Sequence, residues 1–148
     1  MGQDFRFRRQ HGGETQQGNG ESYLFLAAEE VFRTAFRNTQ LGVEVRVDAP
    51  VAFPLSVTTH VAVVVDQQVG ELRLYLGGVQ QGVTLLSEPL SSVRDVNNWL
   101  GRSQFIADGG FAGSLREFRI YRAALSQAEL AASFALGESP YFVTPLER

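Results

Sequence analysis

Residues Asn97–Gly137 read NNWLGRSQFIADGGFAGSLREFRIYRAALSQAELAASFALG, and this stretch parses as strand, glycine loop, strand, short helix. In Gly113–Tyr121, Leu115, Phe118, Ile120 and Tyr121 are interleaved with Arg116, Glu117 and Arg119, which predicts a strand with one oily face. The helix carries its own start and stop signals. Ser126 and Glu129 form S-x-x-E, a capping box in which the hydroxyl takes a backbone N–H and the carboxylate reaches back. Leu125 is placed to staple onto Leu130, and Gly137 supplies the positive φ that ends helices.

Working outward, the rest of the chain is a run of short alternating segments. Ser22–Ala28 reads as a buried strand. Val31–Arg37 puts Phe32, Thr34 and Phe36 on one face and Arg33 and Arg37 on the other, and Gly42–Asp48 points Val43, Val45 and Val47 inward and Glu44, Arg46 and Asp48 outward. Pro50 and Pro54 break the pattern. His60–Asp66 is continuously apolar and is predicted to be central, covered on both faces. Gly70–Leu76 and Val79–Val83 flank Gly77-Gly78, a hairpin with Leu72, Leu74 and Leu76 on one face. Ser87–Asp95 is irregular around Pro89, and Pro140 interrupts before a last short strand at Tyr141–Val143. At the front, Gln3–Arg8 reads as a short first strand and Arg9–Glu21 as a glycine- and glutamine-rich loop without a large apolar residue. No helix start or lysine follows those glycines, so they form no phosphate cradle. The expected architecture is all-β, a two-sheet antiparallel sandwich with one short helix towards the C-terminus.

The closing segment, G-R-S then F-x-G-S-L-x-E-F-R-I-Y-x-x-A-L-S-x-x-E-L, resembles that of bacterial laminin G-like domains of the concanavalin A-like lectin/glucanase superfamily. T-H-V-A-V-V-V-D followed by G-E-L-R-L-Y-L-G-G-V is similar to the family's middle segment, and the two occur in the family's order over residues 22–137. Thr58 stands where the family usually has Trp, and Gly77 where it usually has Asp or Asn. The resemblance implies a jelly-roll sandwich and a single domain over 1–148: strand and loop to residue 21, core 22–137, tail 138–148. It also implies a short front, so the first-strand position is expected to be filled by Gln3–Arg8, by the tail, or by pairing with another chain or a missing N-terminal segment.

The 148 residues bury a sizeable single core. A net charge of −3 argues against nucleic acid as partner. Lysine and cysteine are both absent, which excludes Schiff bases, P-loop chemistry, disulfides, thiol nucleophiles and cysteine zinc sites. No apolar run approaches a membrane span. No leader is visible at Met1, and the chain reads as a piece of a longer protein.

Few constellations bear chemistry. His60 opens an apolar strand and is expected to be a core histidine bonded to neighbouring backbone; His11 sits in the loop. Glu44-x-Arg46-x-Asp48 has the parity of a glycosidase carboxylate pair, but the arginine between would hold both carboxylates ionised, so an outward strip of ion pairs is expected. Calcium is the one cofactor left open, with Asp95 and Asp108 as its candidates beside Asn97 and Asn98, against a reading of these residues as turn formers. A sugar needs an aromatic platform beside planar polar groups. Trp99 with Asn97, Asn98, Arg102 and Asp108 is the cluster that supplies them, and Tyr23 and Tyr75 join if they share its side. Packing of Trp99 into the sandwich is the competing reading. The predicted function is a non-catalytic module of a secreted or surface protein that holds a glycan or an extracellular protein. The alternatives are a glycoside hydrolase or lyase on the same fold, resting on Glu44 and Asp48, and a spacer without ligand.

Overall fold

Three strands that follow one another in sequence carry the plan. β2 (Tyr23–Ala28), β3 (Phe32–Arg37) and β4 (Val45–Asp48) pair antiparallel, in a computed structural model that describes residues 7–10, 22–28, 31–38, 43–93, 97–102 and 110–138. Two further strands, β1 (Phe7–Gln10) and β8 (Asn97–Leu100), complete this sheet in the order β4-β3-β2-β1-β8. The second sheet is β5-β6-β7, from Val61–Asp66, Glu71–Leu76 and Val79–Leu85. One helix, α1 (Gln127–Leu136), and a 3-10 turn at Leu90–Ser92 are the helical pieces among the described residues. The molecule is the two-sheet antiparallel sandwich that the alternation predicts.

The core is where the inward positions of the two sheets meet. Leu26, Ala28, Phe32, Phe36 and Val47 from the first sheet pack with Leu72 and Leu74 from the second, and Leu24, Val45, Val61, Val63, Val65 and Leu76 close around them. Full burial of side chains of this size contributes roughly 1.5–3 kcal/mol each. Thr34 lies among them without penalty because its hydroxyl donates to the Phe25 carbonyl at 2.7 Å. Gly82 of β7 allows the sheets to approach: a Cβ built there would lie 2.7 Å from Val47 Cγ1.

The Gly77-Gly78 turn has φ of +57° and +75°, the doubly positive pair that a tight hairpin requires. Ala131 and Phe134 of α1 sit directly on it. The helix begins as expected: Ser126 Oγ accepts from the Glu129 N–H at 3.3 Å, and Glu129 Oε2 accepts from the Ser126 N–H at 2.7 Å. Leu125 and Leu130 pack together with Val64 and Tyr75. Gly137 closes the helix at φ +69° and ψ −153°, a region that only glycine visits freely.

Four expectations are corrected. The first strand is Phe7–Gln10, so Arg9 and Gln10 belong to a ladder and not to the loop. β1 is paired on both sides, by β2 and β8, which fills the first-strand position from within the chain despite a polar sequence. β5 pairs only with β6 among the described strands, and so lies at the edge of the sheet they form, where a central strand was expected. Its two-sided apolar character arises because Val61, Val63 and Val65 face the core while Ala62 and Val64 lie under α1 and Leu125. Third, β4 starts at Val45, and Val43 is 72% exposed instead of inward. Fourth, residues 113–121 form no strand, and Phe118 and Ile120 are 45% and 73% exposed. Side-chain bonds to the end of α1 hold this segment instead: Arg116 to Glu138 at 2.9 Å, and Arg119 to Ser133 Oγ at 3.1 Å and the Gly137 carbonyl at 3.3 Å. The predicted strand at Tyr141–Val143 and most of the 9–21 loop lie outside the described residues.

Two substitutions test this packing. Gly82→Ala is expected to destabilise the domain by about 1–3 kcal/mol through overpacking, and Val47→Ala in the same chain should recover part of that loss in a denaturant double-mutant cycle. Ser126→Ala should cost about 1 kcal/mol through loss of the cap, read the same way.

Candidate functional site

Alternation gives the five-stranded sheet a second face, directed away from the core. Tyr23, Phe25 and Ala27 of β2 and Ala35 of β3 form a buried apolar layer there. Ladder partners share a face, so the register carries that face across the sheet. Ala35 pairs with Arg46, Arg33 with Asp48 and Tyr23 with Arg37. On the other side Trp99 lines up through the β1 position of Arg8 with Phe25, and Asn97 through that of Gln10 with Tyr23. Trp99 is therefore on the outer face and not in the sandwich.

Arginine dominates the accessible part of the face. Three guanidiniums, of Arg33, Arg37 and Arg46, meet two carboxylates, of Glu44 and Asp48, in a chain whose overall charge is −3. Asp48 serves two of the arginines: Arg33 Nε lies 2.6 Å from Oδ1 and Arg46 Nε 3.3 Å from Oδ2. These pairs are partly solvated and hold geometry more than stability, about 0–1 kcal/mol each. Glu44 accepts the Tyr23 hydroxyl at 2.5 Å. Arg37, the ladder partner of Tyr23, is half-buried, has no ion pair among the described residues, and its Nε is buried without an acceptor.

At the β8 end, Arg102 Cζ lies 4.6 Å from the centroid of the Trp99 ring. A guanidinium stacked on an indole is attracted by the ring's quadrupole and is held flat, its N–H edge free to meet an acceptor. Gly101, at φ +74°, turns the chain out of β8 so that Arg102 folds back, and the Phe111 N–H donates to its carbonyl at 3.0 Å.

The structure thus brings Trp99 and Arg102 together and places the Asn97 position on their face. Asn98 has the opposite parity and is exposed. Asp95 and Asp108, the calcium candidates, lie outside the described residues, and with Asp108 goes one member of the expected platform. Among the described residues no three His, Asp or Glu side chains gather as a metal site. Tyr23 shares the face, two strands away from β8. Tyr75 does not: it is fully buried under α1 on the outside of the other sheet, its hydroxyl donating to Gln80 at 3.1 Å. Glu44, Arg46 and Asp48 all face outward, but only Asp48 and Arg46 are ion-paired, and Glu44 is hydrogen-bonded to Tyr23 instead. Four residues separate the two carboxylates along an extended strand, about 13 Å, beyond the roughly 5 to 9.5 Å that glycosidases use. Sequence reading set Arg33 and Arg37 on an outward face but did not join them to the Glu44–Asp48 strip. The parity of F-R-T-A-F-R against V-E-V-R-V-D is the signal that would have done so.

A laminin G family model, described as the concanavalin A-like lectin/glucanases superfamily, matches residues 4–131. No curated protein matches the chain. Among solved structures, the CBM40 of the Ruminococcus gnavus IT-sialidase is similar, with a TM-score of 0.70 and 22% identity over 88% of this chain and 73% of that one. The same domain bound to alpha2,3 sialyllactose gives 0.67 and 20% over 90% and 83%. Bound to alpha2,6 sialyllactose it gives 0.67 and 19% over 89% and 82%. These likenesses establish the fold, a jelly-roll sandwich.

His60 lies away from this face. Its ring packs on Phe134 of α1 at 5.7 Å, and its Nδ1 is buried with no partner, in place of the backbone bonds expected. Burial first, and the Arg119 charge second, lower its pKa below the ordinary 6.5. The folded state then binds fewer protons than the unfolded one as pH falls below 6.5, so stability is full above that value and declines beneath it. Glu129, whose capping bonds from Ser126 lower its pKa below 4.5, adds a second loss further into acid. Denaturant midpoints across pH 4 to 8 should show both declines, and His60→Phe should abolish the upper one while leaving the lower.

Proposed function

The chain belongs to the concanavalin A-like lectin/glucanases superfamily, and from that premise we propose that it is a non-catalytic glycan-binding module whose ligand lies on the outer face of the five-stranded sheet. The observation that carries this reading is the Trp99–Arg102 stack on the face that also bears Arg33, Arg37 and Arg46. Sugars are recognised by an aromatic surface against their C–H faces together with planar hydrogen-bonding groups that fix orientation, and this face offers both. The similar CBM40 domains, two of them bound to sialyllactose, support a carbohydrate as the ligand over an extracellular protein.

The same geometry favours holding over reacting. Glu44 accepts the Tyr23 hydroxyl and Asp48 is held by two arginines, and the two carboxylates stand too far apart along the extended chain to flank one glycosidic bond. We place the module in a larger secreted or surface protein, in keeping with the resemblance of its motifs. No helix among the described residues is long and apolar enough to cross a membrane. Binding is proposed to need no metal, since the outer face supplies cations where calcium needs six to eight oxygens.

A glycan array read in calcium and in chelator tests this. Binding is expected in both, with no release of sugar from the bound glycan, and Trp99→Ala should weaken it at least ten-fold, about 1.4 kcal/mol. An array silent in both conditions would make the domain a spacer; turnover would make it an enzyme.

A further inference from the structure

Arg37 is the anomaly of the face. An arginine cannot shed its proton in a protein, so a half-buried guanidinium keeps its charge and loses part of its hydration. Elsewhere this chain compensates such a group. Arg73, on the outside of the other sheet, is 15% exposed at its side chain; its Nε too lacks a hydrogen bond, but its charge is met by both Asp66 and Glu71. Arg33 and Arg46 share Asp48. Arg122 has no ion pair among the described residues but is exposed. Among the arginines whose side chains are described, Arg37 alone is both half-buried and without a carboxylate, and Glu44, the residue before β4, gives its Oε2 to Tyr23. A buried polar group left unpaired calls for an explanation, and the missing partner here is an anion.

We propose that the ligand is an acidic glycan and that Arg37 reads its charged group. The inference rests on the glycan-binding reading above and adds the ligand's chemical class and the residue that selects it. A hydroxyl would satisfy the free N–H groups but leave the charge. A carboxylate or sulfate satisfies both, and its paired oxygens match the fork of the guanidinium. Glu44, half-buried and holding Tyr23 through Oε2, keeps its other oxygen to accept from a neutral sugar hydroxyl. The Trp99 stack lies three strands away, about 14 Å, so a ligand that reaches both is an oligosaccharide with its acidic end at β3 and its remaining rings towards β8.

The test compares matched probes by calorimetry: alpha2,3 sialyllactose against lactose, and a glucuronic-acid-terminated oligosaccharide against its glucose-terminated counterpart. The wild-type domain is expected to bind the acidic member of at least one pair ten-fold or more tighter. Arg37→Gln should bring that member down to the neutral one's affinity and leave the neutral one unchanged, whereas Trp99→Ala weakens both alike. Arg37→Gln should also keep or raise the melting temperature, because it removes a charge with no partner, and Arg122→Gln should change nothing. Equal wild-type affinity for acidic and neutral probes overturns the proposal and leaves the glycan module standing. So does an acidic preference that survives Arg37→Gln. A lower melting temperature with parallel losses for both probes assigns Arg37 a structural role and overturns it too. If Arg37→Gln does not fold, Arg37→Lys decides, since it keeps the charge without the fork: a reduced preference supports the reading and an unchanged one sinks it. No binding to any glycan fails both this proposal and the function it rests on.

Discussion

Phe32 and Phe36 from one sheet and Leu72 and Leu74 from the other are entirely withdrawn from water, and this contact dictates what the outside of the domain presents. A strand's side chains alternate strictly, so fixing Phe32, Thr34 and Phe36 inward leaves Arg33, Ala35 and Arg37 no choice but to face out. The ladder then transmits the choice sideways to Tyr23 and Phe25 on one flank and to Arg46 and Asp48 on the other. A one-residue slip of β3 would bury two arginines and expose two phenylalanines, so the core holds the arginine face in register.

That logic explains which parts of the molecule were readable from residues alone. β2, β3, β6 and β7 announce themselves because each has one oily and one polar face, and the hairpin between β6 and β7 adds a local turn signal. The helix is equally legible, since cap, staple and closing glycine act within a few residues of one another. β1 was misplaced because Phe-Arg-Arg-Gln carries no alternation of its own; its place comes from β2 and β8, and β8 lies some ninety residues later. Residues 113–121 misled in the opposite direction. Their apolar phase slips between Leu115 and Phe118, and Arg119 reaches the carbonyl end of α1, where a cation is favoured, while Arg116 bonds Glu138 just beyond it. Trp99 illustrates the same limit at the site: three residues of alternation leave its side undecided, and only the pairing of β8 with β1 settles it.

The electrostatics of the two sheets differ in a way that the core does not require. Arg73 and its two carboxylates balance one another's charge, although Arg73 Nε makes no hydrogen bond, and Asp66 also accepts from the Gln68 backbone N–H at 3.1 Å. On the five-stranded sheet the carboxylates are too few and partly diverted, and the face keeps positive charge within an acidic chain. Charge arranged against the net charge of the molecule contributes little to folding, and uncompensated groups are commonest where structure has been shaped for a ligand.

A sandwich has two outward faces, and this one has closed the first. Leu130 and Leu125 cover Val64 and Tyr75, while Phe134 rests on His60 and on the Gly77-Gly78 turn. The capping box that starts α1 and the arginine contacts that hold its far end pin it across β5 and the hairpin, which makes the three-stranded sheet's outside a second small core. The opposite face differs: its apolar layer of Tyr23, Phe25, Ala27 and Ala35 is buried, and Arg33, Arg37 and Arg46 stand around that layer with their charge nearer the surface. The helix thereby closes the outside of the three-stranded sheet and leaves the contrast in charge to the other face.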